Sequence, residues 1–302
     1  MKVFLTGGTG LVGRAVVRAL IERGDEVVCV TRDRKRALSR LSRPVEIVEG
    51  DPTFPGDWQR ALGDCDAVVN LAGEPVAAKR WTRKRKALLR RSRLECTRNV
   101  AAAVNASERV RVLVSASAVG YYGDGGAEPL YEENEGGRDF LGRLAHEWEG
   151  CALEADNGRA RVALLRIGLV LDREDGALPR LVLPYRFGLG GPLGDGRAYV
   201  PWIHRHDLVR AILHILDRDA IAGPVNAVVP DPPTRREFAR TLGRVLGRPS
   251  GFTTPGFVLN LVLGEMSAML LQSCRAVPKA LRANEFQFEY RDLEPALRHL
   301  LS

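Results

Sequence analysis

Short apolar runs alternate with helical patterns through the first half of the chain. Runs such as VFL, VVCV, AVVNL, VLVSA and VALLRI are continuously hydrophobic, as strands are when helices cover both faces of a parallel sheet. They predict strands over 2–6, 26–31, 45–49, 67–71, 110–116 and 161–167, with helices over 11–23, 35–41, 58–62, 82–104 and 138–155 between them. Strand and helix in turn predict an α/β, doubly wound parallel sheet. Beyond residue 167 the alternation weakens, and the Gly/Pro-rich stretch 187–201 reads as a loop over a pocket. A helix over 206–217, a strand over 225–229 and a helix over 235–246 follow. The apolar stretch 257–271 is broken by Asn260 and Glu265 and is too short to span a bilayer, so it reads as a core or cap helix. This organisation predicts a sheet domain over 1–230, carrying the pocket loop, and a smaller, mostly helical C-terminal lobe over 231–302.

The segment Gly7-Gly8-Thr9-Gly10-Leu11-Val12-Gly13 follows the first strand and opens the first helix. Glycines spaced in this way allow a tight turn and close approach of backbone to a pyrophosphate, which the helix N-terminus then receives on its free N–H groups. Strand, turn and helix in that order mark a Rossmann dinucleotide site, with Gly7, Thr9, Gly10, Leu11, Val12 and Gly13 against the ligand. The end of the second strand decides between NAD and NADP. An acidic residue there would bind the ribose 2′-hydroxyl, but the chain has Thr31 and Arg32, with Arg34, Lys35 and Arg36 close behind. Arginine pairs bidentately with a 2′-phosphate, so NADP(H) is favoured over NAD(H), the alternative being that Asp33 turns in to the ribose.

The formal net charge of +8 changes this picture little, because arginine is spread through the chain and lysine occurs only at 2, 35, 79, 84, 86 and 279. The dense run 80–93, RWTRKRKALLRRSR, reads as a solvated helix face, and nucleic acid is not an expected partner. It is still the place to look for an anionic ligand. The five cysteines are scattered, with no CxxC pair or Cys/His cluster, so no metal site and no disulfide frame are expected. With no secretory h-region and no membrane span, the sequence predicts a cytoplasmic protein.

TGGTGLVG at the start, NLAGEP after the fourth strand and SASAVGYYGD after the fifth resemble the extended short-chain dehydrogenase/reductases. SRLECT, LLRIGLVL, GGPLGDGRAYVPWIHRHD and GPVNAVVPDPPTRREFA narrow the resemblance to an atypical epimerase-like, sugar-nucleotide epimerase subfamily. Its C-terminal domain of unknown function resembles the stretch from TTPGFVLNLVLGEM to the C-terminus. The resemblance implies that Leu71, Ala72 and Gly73 line the cofactor, that Asp51 meets adenine, and that Arg166, Ile167 and Gly168 pass near the nicotinamide. It also implies that Ser117 is the catalytic hydroxyl.

The chain departs from that superfamily at its YxxxK pair. No lysine occurs between Lys86 and Lys279, and the corresponding stretch reads Asp139-Phe140-Leu141-Gly142-Arg143-Leu144. Tyr121 and Tyr122 are the nearest candidates to act with Ser117 on a carbonyl, while Glu132, Glu133, Trp202, His204 and Asp207 are candidate loop and pocket groups. Two functions are compatible with this pattern. One is an NADP(H)-dependent oxidoreductase or epimerase acting on a small polar carbonyl or nucleotide-sugar-like substrate; the other is a non-catalytic NADPH-binding redox sensor. The basic 82–104 helix would repel its own copy, which predicts a monomer rather than a homodimer.

Overall fold

The computed structural model describes residues 1–41 and 44–302. The chain runs β1 (Lys2–Thr6), α1 (Leu11–Glu22), β2 (Glu26–Thr31), α2 (Arg34–Arg40), β3 (Glu46–Glu49), α3 (Trp58–Gly63), β4 (Ala67–Asn70), α4 (Arg83–Ala106) and β5 (Val112–Ala118). It continues through β6 (Pro129–Leu130), α5 (Phe140–Leu153), β7 (Arg161–Ile167), β8 (Leu169–Leu171), α6 (Leu178–Arg186), β9 (Trp202–His204), α7 (Arg205–Asp217) and β10 (Gly223–Ala227). The C-terminal part holds α8 (Arg235–Leu246), α9 (Gly256–Leu263), α10 (Ala268–Leu271), β11 (Arg275–Ala276), α11 (Lys279–Ala283) and α12 (Leu293–Leu301).

Seven strands form one parallel sheet in the order β10-β7-β5-β4-β1-β2-β3, the doubly wound arrangement expected from the sequence. Both faces are covered. Val3 and Leu5 of β1 pack into the cluster of Val16, Leu20 and Ile212 from α1 and α7, while Phe4 points oppositely to Trp58, Leu62 and Val100 from α3 and α4. The order reverses between β1 and β4, which opens a crevice at their C-terminal ends, where such folds bind ligands.

The region after residue 167 is more ordered than its sequence pattern predicts. β8 pairs with β9, α6 intervenes, and the stretch 187–201 contains no helix or strand. The packing also crosses the expected boundary at residue 230. A further hydrophobic core, apart from the two on the sheet faces, joins Leu171, Leu178, Tyr185 and Trp202 to Phe238, Leu242, Leu297 and Leu300, whereas Leu281 and Phe286 pack into the sheet domain. The stretch 257–271 is not a core helix. Gly264, at φ +60, ends α9, which buries none of its residues and leaves Phe257 73% and Leu261 76% exposed. Only its far end, through Met266 and Met269, packs inward on Trp81 and Leu89.

His204 ties the lobes together by capping a helix in an unusual way. Its Nδ1 accepts the backbone N–H of His206 at 3.0 Å, capping α7, its ring stacks on Tyr290 at 3.9 Å, and its Nε2 faces His299 Nδ1 at 3.3 Å. Protonation of Nδ1 would destroy the cap. Burial, reinforced by His299, pushes the imidazole down to about 4 from an ordinary 6.5. Between those values the unfolded chain binds a proton that the folded chain does not, so this stability is present above pH 6.5 and is lost as pH falls toward 4. The loss is at most roughly 3 kcal/mol. Urea midpoints measured across this range should fall with pH in the wild type and fall less in His204→Asn, which keeps a capping oxygen. Parallel curves would refute the assignment.

Candidate functional site

The turn between β1 and α1 leaves no room for a side chain at Gly7 or at Gly13. Gly7 has φ +70, and a β-carbon there would lie 2.8 Å from the Leu71 carbonyl atoms, while one on Gly13 would overlap the Gly7 carbonyl. Gly10 caps α1 with no side-chain hydrogen bond, and the first turn holds no acidic residue, so the helix N-terminus is open to an anion. The neighbouring segment is fixed by a buried polar ladder. Thr6 Oγ1 donates to Asn70 Oδ1 at 2.7 Å and accepts the N–H of Ala72 at 3.1 Å. Asn70 Nδ2 in turn donates to Thr97 and Ser115 hydroxyls at 2.9 and 3.1 Å. Leu71, Ala72 and Gly73 are thereby held opposite Gly7, and this steric cradle fits a dinucleotide backbone.

Arg32 is exposed at the end of β2. The Asp33 carboxylate is engaged elsewhere, accepting the N–H of Arg36 at 2.9 Å as the N-cap of α2, which counts against its turning to a ribose. Asp51 is half-buried and accepts from the Thr53 N–H and hydroxyl at 3.0 and 2.8 Å. Thr9, Leu11 and Val12 are half-buried around the turn.

Ser117, Arg166 and Asn226 stand side by side in register across β5, β7 and β10. All three are buried, and helix α5 covers them with one carboxylate, Glu149. Arg166 Nε and Nη2 donate to the two oxygens of Glu149, each at 2.8 Å, and the Ser117 hydroxyl donates to Glu149 Oε1 at 2.6 Å. Arg166 Nη1 donates to the Tyr122 hydroxyl at 2.9 Å and to the Glu132 carbonyl at 3.0 Å, and Tyr122 donates to Asn226 Oδ1 at 2.8 Å. The Tyr121 ring stacks on the Arg166 guanidinium at 3.5 Å. Burial works against the Arg166 charge, but the Glu149 carboxylate overcomes it and holds the pKa above the ordinary arginine value. Burial also pushes the Tyr122 hydroxyl up to about 12, against the pull of Arg166.

Several expectations change with these positions. Arg166 is 2% exposed and belongs to the ion-paired network rather than to an open cofactor surface. Ile167 packs beside Ala116 and Trp148, and Gly168 is required because a β-carbon there would meet Val228 and the Pro201 carbonyl. Tyr122 is locked by two hydrogen bonds, leaving Tyr121 as the half-buried tyrosine. Trp202 and His204 lie in the interlobe core, not on the pocket loop. Asp207 is also structural, accepting the N–H groups of Glu289 and Tyr290. Glu133 is exposed and pairs with Lys279, whereas Glu132 is the buried member, accepting N–H groups from Asn226, Lys279 and Ala280. The 80–93 run is not all solvated face, since Arg85 and Arg93 are buried.

Sequence reasoning missed Glu149 and Asn226. The signal was present in Arg166 itself, a charge near the C-terminal end of a strand whose two faces are covered, which demands a buried partner. On α5 the buried positions include Gly142, Ala145, Trp148, Glu149 and Ala152, so the carboxylate stands on the helical stripe facing the sheet. A cleft of about 500 Å³ opens beside the first turns of α4 and α5, lined by Trp81, Lys86, Asp139, Phe140, Arg143 and Leu271 among others. Among the described residues no cluster of histidine, cysteine and carboxylate side chains could hold a metal ion.

Residues 3–147 match the NAD dependent epimerase/dehydratase family, and residues 254–300 match a domain of unknown function, DUF1731. The chain is 36% identical to the chloroplastic epimerase family protein SDR39U1 homolog of Arabidopsis thaliana, covering 100% of this chain and 87% of that protein. It is 34% identical to the epimerase family protein YfhF of Bacillus subtilis, covering 100% of this chain and 98% of that one. The structure of human epimerase family protein SDR39U1 (isoform2) with NADPH superposes with a TM-score of 0.87 at 32% identity, covering 99% of each chain.

The network itself yields a test. Glu149→Gln removes the carboxylate and leaves Arg166 buried without its counter-charge, which should cost about 3–5 kcal/mol of folding stability. Urea denaturation of the two proteins measures it, and a difference below about 1 kcal/mol, the size of an exposed pair, would contradict the geometry.

Proposed function

The chain belongs to the NAD dependent epimerase/dehydratase family, and on that premise we propose that it is an NADP(H)-dependent oxidoreductase or epimerase acting on a small polar carbonyl or nucleotide-sugar-like substrate. The observation that carries the proposal is the Ser117 hydroxyl, fixed at the C-terminal end of β5 by the Arg166–Glu149 pair. Gly7, Gly10 and Gly13 would hold the pyrophosphate, and Arg32 the 2′-phosphate. NADP(H), when bound, supplies or accepts a hydride. Ser117 gives its own proton toward Glu149, so its oxygen presents lone pairs to a substrate hydroxyl. A proton leaving that hydroxyl passes to Ser117 and the serine proton to Glu149; the reverse path protonates a carbonyl oxygen. Arg166 orients the Glu149 carboxylate, Asn226 holds the Tyr122 hydroxyl, and Tyr121 covers the guanidinium.

A second reading, an NADPH-binding redox sensor without turnover, is favoured by the burial of Tyr122, whose hydroxyl is already held by Arg166 and Asn226. The five buried free thiols fit a reducing compartment such as the cytoplasm. The exposed Arg83, Lys84, Arg90 and Arg91 of α4 fit a monomer. A dimer that persists in high salt during sedimentation would overturn the monomeric assignment.

Calorimetry with NADPH and NADH should show NADPH preferred in the wild type and the preference reduced about 10–100-fold in Arg32→Ala, the worth of a charged bidentate contact. Carbonyl-dependent loss of NADPH absorbance should fall at least about 100-fold in Ser117→Ala. Binding without turnover across a broad carbonyl panel would replace the enzyme reading with the sensor. No binding of either nucleotide would overturn both.

A further inference from the structure

Thirteen large apolar side chains are exposed among the described residues, and six of them fall in two short segments, 187–189 and 252–262. The two segments are held side by side, the Phe252 N–H donating to the Gly190 carbonyl at 3.1 Å and the Thr254 N–H to the Pro192 carbonyl at 3.0 Å. Phe187 and Leu189 therefore stand beside Phe252, and the chain runs on into α9 with Phe257, Leu261 and Val262 exposed. Helix α9 carries no charge and buries none of its residues, and its one polar side chain, Asn260, is occupied by the Ser267 hydroxyl. Apolar surface gathered in one place in this way marks a docking site, whereas scattered exposed leucines do not.

A strong positive charge borders this surface. Between Lys79 and Arg98 the chain has ten basic residues and one acidic residue, Glu95, so the formal net charge of +8 is concentrated there and the rest of the chain is nearly balanced. Two contacts bring the start of this segment to the end of α9: a β-carbon on Gly264 would lie 3.0 Å from Arg80 Nε, and Lys86 pairs with Glu265. Lys79, Arg80, Arg83 and Lys84 are exposed and form no salt bridge among the described residues. Arg186, next to Phe187, is exposed at the other end of the apolar surface.

We propose that this surface docks on an anionic phospholipid membrane, with Phe257, Leu261 and Val262 of α9 among the acyl chains and the basic residues 79–84 against the lipid phosphates. The eight residues of α9 span about 12 Å, far short of a bilayer, so the helix lies in the surface and does not cross it. Apolar anchors beside a basic cluster supply the two signals that stable adsorption needs. A second copy of the chain is a poor occupant, because a symmetric contact would bring the two basic segments together. A specific protein partner would need hydrogen bonds to fix its orientation, and α9 offers no free polar side chain for them. The docking surface is independent of the reaction at Ser117.

The full-length protein is sedimented with vesicles of phosphatidylcholine alone and of phosphatidylcholine mixed with phosphatidylserine. Wild type should bind the mixed vesicles at least about tenfold more tightly, since each basic residue at an anionic surface adds about fivefold, and the difference should shrink in high salt. The double variant Arg80→Gln/Arg83→Gln should lose about tenfold or more on the mixed vesicles alone, and Phe257→Ser/Leu261→Ser about tenfold or more on both kinds. All four side chains are exposed, so Tm and lipid-free turnover should be unchanged in both variants. Phe257→Trp keeps an apolar anchor and gives a second readout: Trp58, Trp81, Trp148 and Trp202 are buried, so a blue shift of emission on adding mixed vesicles reports α9 itself. Failure to bind either kind of vesicle, equal binding to both, or an indole that stays in water while the protein sediments would each overturn the proposal. So would a dimer in lipid-free buffer that Phe257→Ser/Leu261→Ser abolishes, which would give the surface to a second copy. Vesicle binding without carbonyl turnover would sink the enzyme reading and leave the membrane surface standing.

Discussion

The bidentate pair between Arg166 and Glu149 is the contact around which the C-terminal edge of the sheet is organised. Taking both charges out of water costs several kcal/mol per ion, and only a closed set of further hydrogen bonds makes the arrangement tolerable. The set is closed here from five directions: Ser117 on β5, Tyr122 on the turn after it, Asn226 on β10, the Glu132 carbonyl, and the pair itself bridging β7 to α5. Glu132 extends it to the start of α11 by accepting the N–H groups of Lys279 and Ala280. A hydrophobic isostere would hold the same elements together as well or better. What the ion pair supplies is position: it fixes the Ser117 oxygen relative to both lobes.

Two polar rows cross an otherwise apolar sheet. Thr6, Asn70 and Ser115 stand in register on β1, β4 and β5, and Ser117, Arg166 and Asn226 on β5, β7 and β10. Ser115 and Ser117 are two residues apart and therefore share a face of β5. The first row sets the Leu71–Gly73 backbone against Gly7, and the second sets Ser117. The glycine turn and the Ser117 hydroxyl are thus indexed to one another through a single strand. Loops alone would leave that relation loose; a strand in the middle of a seven-stranded sheet does not.

The parallel sheet was legible because continuous apolar runs have few other uses in a soluble chain, and the glycine turn because sterics admit few alternatives at Gly7 and Gly13. The lobe boundary was not, because Leu171, Tyr185 and Trp202 reach their partners Phe238 and Leu297 only through tertiary packing. Composition misled at 257–271, where an apolar stretch stays outside the core because Gly264 breaks it and only its second half turns inward. The basic helix was misread for a different reason. Charge density suggested a solvated face, yet positions 85, 89, 93, 96, 97 and 100 form one helical stripe, and helical period, not charge, decides which side is buried.

The absent YxxxK pair and the buried Arg166 have a common chemical consequence. A lysine beside a tyrosine tunes a base, because an ammonium group can be desolvated and its pKa moved into the working range. Arg166 keeps its charge and is fully spent on Glu149 and Tyr122, so it cannot vary the acidity of a phenol with substrate binding. On the proposed function, proton movement in this site depends on geometry: a serine hydroxyl already aligned on a carboxylate at 2.6 Å. Such a path transfers a proton only when the substrate oxygen is placed accurately on Ser117.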